Sequence, residues 1–71
     1  MTAAAFKALR KLEGKRVSLE FGNREIIDAT ILSATTDADG SRHLVYAPTG
    51  AREGKYAAGE DLVAYKLIEP A

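Results

Sequence analysis

The hydrophobic period of the chain changes once, at Gly14, from 3.6 residues to 2. Before the change, Ala5, Phe6, Leu9 and Leu12 recur on one helical face while Lys7, Arg10 and Lys11 lie opposite, which predicts an amphipathic helix over about residues 3–13. The Thr2 hydroxyl can accept from an orphan backbone N–H and cap its start. Gly14 fits the left-handed position that ends a helix. The three cations sit in the last two turns, where the helix dipole favours positive charge. A mitochondrial targeting helix is similarly basic, but here a β pattern begins at once, so the helix reads as a structural one packed on a sheet.

After Gly14, Val17, Leu19 and Phe21 alternate with Arg16, Ser18 and Glu20, the pattern of a half-buried strand over residues 15–21. Gly22-Asn23 supplies two residues that tolerate positive φ and predicts a tight hairpin. The second strand, residues 24–35, is long and β-branched, and Ile26-Ile27 and Ile31-Leu32 place apolar groups on both of its faces, as in strands that bend across a barrel corner. Asp37 to Ser41 is rich in residues that bond their own backbone and predicts a turn. Residues 42–47 read as a third strand, Pro48 to Gly54 as a loop, and residues 55–58 as a short fourth strand. Gly59-Glu60-Asp61 turns the chain into a last strand, residues 62–68, which Pro70 ends. No repeat, linker or low-complexity tract interrupts this order.

One helix and five short strands, the second long and bent, is the order of elements in the Sm-like small barrel. Leu12-x-Gly14-Lys15-Arg16-Val17-x-Leu19, the Gly22-Asn23 hairpin and Ile27-x-Ala29-x-Ile31-x-Ser33 resemble the first Sm motif. Gly59-Glu60-Asp61-Leu62-Val63-Ala64-Tyr65 is similar to the second. Together they span roughly residues 3–68, through positions that are mostly apolar or glycine. The resemblance implies a mainly β fold, a five-stranded SH3-like or Sm-like small barrel with one N-terminal helix, and assembly as a ring or dimer. The family grips a base with an aspartate, a stacking side chain and an asparagine in the loop after the second strand. Here that loop, Thr36-Asp37-Ala38-Asp39-Gly40, has no aromatic, methionine or asparagine, and Ala58 stands where the second motif carries a cation.

Composition narrows the function. The 71 residues make one small domain, residues 1–71. Ten Lys and Arg balance ten Asp and Glu, so bulk attraction to nucleic acid or an anionic membrane is weak. The absence of cysteine removes disulfides, thiolate nucleophiles and thiolate zinc sites. A single histidine means that any transition-metal site would be mostly carboxylate. No apolar run approaches the ~20 residues that span a bilayer. The expectation is a cytoplasmic domain with no membrane partner and no cofactor or metal. A chain this short buries only about 60% of its unfolded surface. Oligomerisation is the stabilising route left open.

Charge is uneven: residues 1–24 carry +4 and residues 25–71 carry −4. Lys7, Arg10, Lys11, Lys15 and Arg16 form either a phosphate-contacting face or a solvated helix surface, or they meet the acidic part of a neighbouring copy. The loop Gly50-Ala51-Arg52-Glu53-Gly54-Lys55-Tyr56 approaches a P-loop, but its spacing is one residue short, Tyr56 replaces the metal-binding hydroxyl, and a strand follows. Arg52 and Lys55 remain candidates for ligand contact. Thr35-x-Asp37-x-Asp39-Gly40 mimics the start of a calcium loop, yet Tyr46 occupies the position of the closing Glu. His43 could act as a base with Ser41 as nucleophile, but no motif places a carboxylate behind the imidazole, which favours local hydrogen bonding. Tyr46, Tyr56 and Tyr65 read as core or interface residues.

Leu62 to Ile68, Leu44-Val45-Tyr46 and Ile26-Ile27 are apolar on both faces, and strands of that kind are covered on both. One short helix covers only part of the outer surface. The remainder should meet another copy through Leu62, Val63, Tyr65 and Leu67 by edge-strand pairing. The leading expectation is a non-catalytic homo-oligomeric binding or scaffold domain of the Sm-like kind. The alternative is an RNA- or DNA-binding protein that uses its basic helix face. A protein–protein adaptor, or a subunit of an active site built between copies, is the third.

Overall fold

The computed structural model describes residues 1–68. It comprises α1 (Ala3–Arg10), β1 (Arg16–Phe21), β2 (Ile26–Thr36), β3 (Arg42–Pro48), β4 (Lys55–Ala58), a 3₁₀ turn (Gly59–Asp61) and β5 (Leu62–Leu67). All five strands join one antiparallel sheet in the order β4-β3-β2-β1-β5. The expected mainly β class with one N-terminal helix is present, but the sheet does not close into a barrel. Pairing of β5 with β1 and of β4 with β3 sends these two strands to opposite ends, so each is an open edge.

Local rules account for most boundaries. The Thr2 hydroxyl accepts from the Ala5 N–H at 3.1 Å, as a capping threonine does. The helix is shorter than its apolar period suggests. It ends at Arg10, the Lys11 N–H bonds the Ala8 carbonyl, and the chain turns to Gly14 at φ 85°. The Gly14 N–H then donates to the Ile31 carbonyl at 2.7 Å, tying the end of the helix to the middle of β2.

In the β1–β2 hairpin the positive φ falls on Arg24 rather than on Gly22-Asn23. The Asn23 side chain accepts from the Glu25 N–H at 3.0 Å and Arg24 N–H donates to Phe21, which makes a three-residue loop ending in a left-handed residue. The β2–β3 turn is built the same way, with Gly40 at φ 89° and the Asp37 N–H donating to the Ser41 carbonyl. Pro48, expected in the loop, closes β3 opposite Ala29, a terminal place where its missing donor is tolerated. The expected stop at Pro70 lies outside the described residues.

The core holds Phe6 and Leu9 from the helix with Val17, Leu19, Phe21, Ala29, Ile31, Ala34, Leu44, Tyr46 and Leu62 from the sheet. The bend expected in β2 has a physical marker. Its register with β3 slips between Ile31 and Ser33, so Ile31 is buried while Leu32 stays exposed. A second slip, between Glu20 and Phe21 of β1, sets Leu62 into the core and leaves Val63 outside it. Phe21 and Tyr46 stack at 5.7 Å between ring centroids, tilted by 38°. Burial, and secondarily the charge of Glu25, pushes the Tyr46 hydroxyl pKa up.

Candidate functional site

The residues singled out by sequence divide into separate places. Lys7 and Arg10 reach over the sheet and border a groove of about 450 Å³ with Thr2, Thr36 and Arg42. An adjoining hollow of about 400 Å³ is lined by Lys7, Arg10, Lys11, Glu13, Ser33 and Thr35. Arg42 joins the helix cations because it opens β3 opposite Thr36, a placement that needs the β2–β3 register. Lys15, Arg16, Arg52 and Lys55 line neither of these hollows.

Arg16 is instead engaged. Its Nε donates to the Asp28 carboxylate at 2.7 Å and its terminal nitrogen pairs with the second Asp28 oxygen. Asp28 also accepts from the Thr49 hydroxyl at 2.8 Å, and its carbonyl accepts from the Thr49 N–H at 2.9 Å. The Arg16 guanidinium beside it holds the Asp28 carboxyl down at about 2. Asp28 thus ties β1, β2 and the turn after β3 together, and Arg16 belongs to that tie.

A different set converges near the β4 edge. His43 and Tyr56 are diagonal neighbours across β3 and β4, because His43 pairs with Ala58 and Val45 with Tyr56. The Tyr56 hydroxyl lies 2.7 Å from His43 Nδ1, with the rings 5.7 Å apart. On the other side of the imidazole, Nε2 lies 2.7 Å from Asp37 Oδ2. The carboxylate that sequence reasoning did not find is therefore present, brought in by the tight turn between β2 and β3. Its backbone is fixed by the Asp37–Ser41 and Gly40–Asp37 bonds, and Ser41 N–H also donates to Asp39 Oδ1 at 2.9 Å. The Ser41 backbone N–H first, then its side chain, lowers the Asp39 pKa.

A carboxylate can only accept, so in the neutral form of the imidazole the proton sits on Nε2 and Nδ1 accepts from the Tyr56 hydroxyl. The chain runs from phenol to imidazole to carboxylate. Beside it opens a shallow depression of about 240 Å³ lined by Gly40, Ser41, Arg42, His43, Tyr56, Ala58 and Glu60. Asp37 and His43 flank one turn, and that spacing is the signal by which the pair could have been read; Tyr56 follows only from the β3–β4 register.

Of the residues expected at an oligomer interface, Leu62 is fully buried in the core of its own chain. Val63 is 51% exposed and Leu67 41% exposed, while Tyr65 is half-buried against the core. Among the described residues no three His, Asp or Glu side chains gather as a metal centre requires, and no helix is long and apolar enough to cross a membrane.

The fold and these surfaces define a small domain with an open antiparallel sheet, a helical cap, a cationic groove and two free edges. Comparison with protein-family models, curated proteins and solved structures finds no match to this chain.

Proposed function

We propose that this chain is a homo-oligomeric binding or scaffold domain of the Sm-like kind, in which β4 of one copy pairs with β5 of the next. The observation that carries this reading is the pair of open edges, one of them uncovered on its core side. Tyr65 and Leu67 stand opposite Leu19 and Val17 and share their face, yet Leu67 stays 41% exposed while Val17 and Leu19 are fully buried. A neighbouring strand would cover that margin and satisfy the free backbone groups of both edges. Such head-to-tail contact uses two different surfaces and generates a ring when the rotation closes.

Antiparallel pairing with a continuous core face restricts the register to steps of two residues. On β4, Lys55 and Ala57 face the core side, opposite Tyr46 and Leu44, and Tyr56 and Ala58 face outward. One such register sets Lys55 against Leu67, Tyr56 against Lys66, Ala57 against Tyr65 and Ala58 against Ala64. This pairing puts a small residue beside a large one and a cation beside an aromatic ring. It also uses all four residues of β4 without reaching the buried Leu62.

Because the chain has no cysteine, the double variant Ala58→Cys/Ala64→Cys tests both assembly and register. Directly opposed strand residues approach closely enough for a disulfide. Mild oxidation is expected to give covalent multimers on a non-reducing gel, and light scattering of the wild type a discrete oligomer. In Val63→Lys/Leu67→Lys, two changes at exposed positions, the oligomer should dissociate with the circular dichroism spectrum unchanged. A wild-type monomer at high concentration, with no cross-linked species, overturns the reading.

A second reading has its own observation. Among the described residues, the groove bordered by Lys7, Arg10 and Arg42 is lined by two threonines and no carboxylate side chain, which suits a phosphodiester backbone. Three phosphate contacts imply a log–log salt slope of about −2 for single-stranded nucleic acid. Oligonucleotide retention that salt removes, and that Lys7→Ala/Arg10→Ala/Lys11→Ala abolishes, would support it; retention unaffected by these substitutions would reject it.

A further inference from the structure

The phenol–imidazole–carboxylate chain has the connectivity by which a weak nucleophile is activated: nucleophile and base in hydrogen-bond contact, the base oriented by a third group. We propose that Tyr56 is an acyl acceptor, activated by His43 and Asp37, that takes an acyl group from an activated ester seated in the depression beside it.

Three observations carry the assignment. Both hydrogen bonds are 2.7 Å long, so the proton on Tyr56 Oη has an acceptor already in place. Tyr56 is 61% exposed, while the imidazole behind it is about two-thirds covered. The depression beside them is bordered by Arg42 and Glu60, one charge of each sign. No ion pair engages Arg42 among the described residues. The backbone donors of the neighbouring turn are spent within it, Gly40 N–H on Asp37 and Ser41 N–H on Asp39.

The step balances without an added oxidant or reductant. Tyr56 Oη attacks the acyl carbon and forms an O–C bond as its proton passes to His43 Nδ1. Asp37 holds the imidazolium through Nε2–H. The tetrahedral adduct then collapses, the bond to the leaving oxygen breaks, and His43 Nδ1 returns the proton to the departing alcohol or phenol. The product is an O-acyl tyrosine. His43 is the base and Asp37 a positioning residue. The inference does not rest on assembly, because strand pairing engages the backbone of β4 and leaves the Tyr56 side chain on the outer face of the sheet.

The test uses p-nitrophenyl acetate with the intact protein, following p-nitrophenolate release and locating the acetyl group by peptide mapping. Acetylation is expected at Tyr56, at least about a hundredfold faster than in His43→Gln, the lower end of the range a positioned general base contributes. Tyr56→Phe should abolish that modification. Asp37→Asn should slow it, with Asp37→Glu, which keeps the charge, losing less; a merely structural Asp37 would change unfolding temperature and acetylation together. Circular dichroism confirms that each variant is folded. Modification confined to lysines and the N-terminal amine, or an equal Tyr56 rate in wild type and folded His43→Gln, overturns the proposal.

Discussion

Gly59 offers the sharpest test of how the open sheet is held at its β4 end. This residue is buried, and a β-carbon built there would stand 2.5 Å from the Arg42 Cβ and 3.3 Å from the Arg42 carbonyl oxygen. Carbon atoms pack best at about 3.5–4.0 Å, so the start of β3 and the 3₁₀ turn would have to part by about 1 Å. Overpacking of that kind costs about 1–3 kcal/mol. For a domain of this size each kcal/mol lowers the unfolding temperature by about 4–8 °C, which gives a drop of about 4–24 °C for Gly59→Ala. The nearest atom to a β-carbon at Gly22 is the Asp61 carbonyl oxygen at 3.9 Å, an ordinary contact. Gly22→Ala should therefore stay within about 0.5 kcal/mol of wild type. Gly14→Ala meets no atom within 4 Å but imposes a positive φ on alanine, at a cost of about 1–2 kcal/mol. Because the obstruction at Gly59 is a β-carbon, Arg42→Ala leaves it in place and only Arg42→Gly relieves it. A double-mutant cycle of Gly59→Ala with Arg42→Gly should show coupling in thermal unfolding followed by circular dichroism. Equal stability of Gly59→Ala and Gly22→Ala, or strict additivity in the cycle, would refute the close approach.

Leu9 is fully buried, and Leu9→Ala should cost about 2–5 kcal/mol in urea unfolding. That is a large share of the roughly 4–11 kcal/mol typical of a chain this long, whereas a helix merely appended to the sheet would lose almost nothing. Asp28 has a folded pKa depressed to about 2 from 3.8, so its contribution is present above pH ~4 and is lost as pH falls through about 2. Wild type should unfold at a higher temperature than Asp28→Asn at neutral pH, and the two should converge between about pH 4 and 2. A gap that stays constant across that range would show that Arg16 does not stabilise the folded carboxylate.

What the sequence discloses follows the reach of each interaction. Thr2 capping, the left-handed Gly14 and the Asp37–Ser41 turn were legible because each involves groups within a few residues. The turn at Gly22-Asn23 was legible in place but not in detail, since the Asn23 side chain bonds Glu25 and moves the left-handed position to Arg24. Leu62 misleads a reading by alternation because the slip between Glu20 and Phe21 adds a residue to β5 opposite that point. The same limit governs the site. Arg16 reads as a free cation until the hairpin register sets Asp28 diagonally across from it. His43 reads as a lone imidazole until the β3–β4 register, established across the loop of residues 49–54, sets Tyr56 beside it. Each of these pairings depends on which strand residues face each other, and a one-residue slip would send every partner to the opposite side of the sheet. Chemistry on a small β domain is therefore written in register, while composition and local motif report chiefly its fold. In this chain the two bulges decide that register: one buries Ile31 and exposes Leu32, the other buries Leu62 and exposes Val63. Neither has a sequence mark beyond two adjacent apolar residues, a pattern that a strand covered on both faces would also produce.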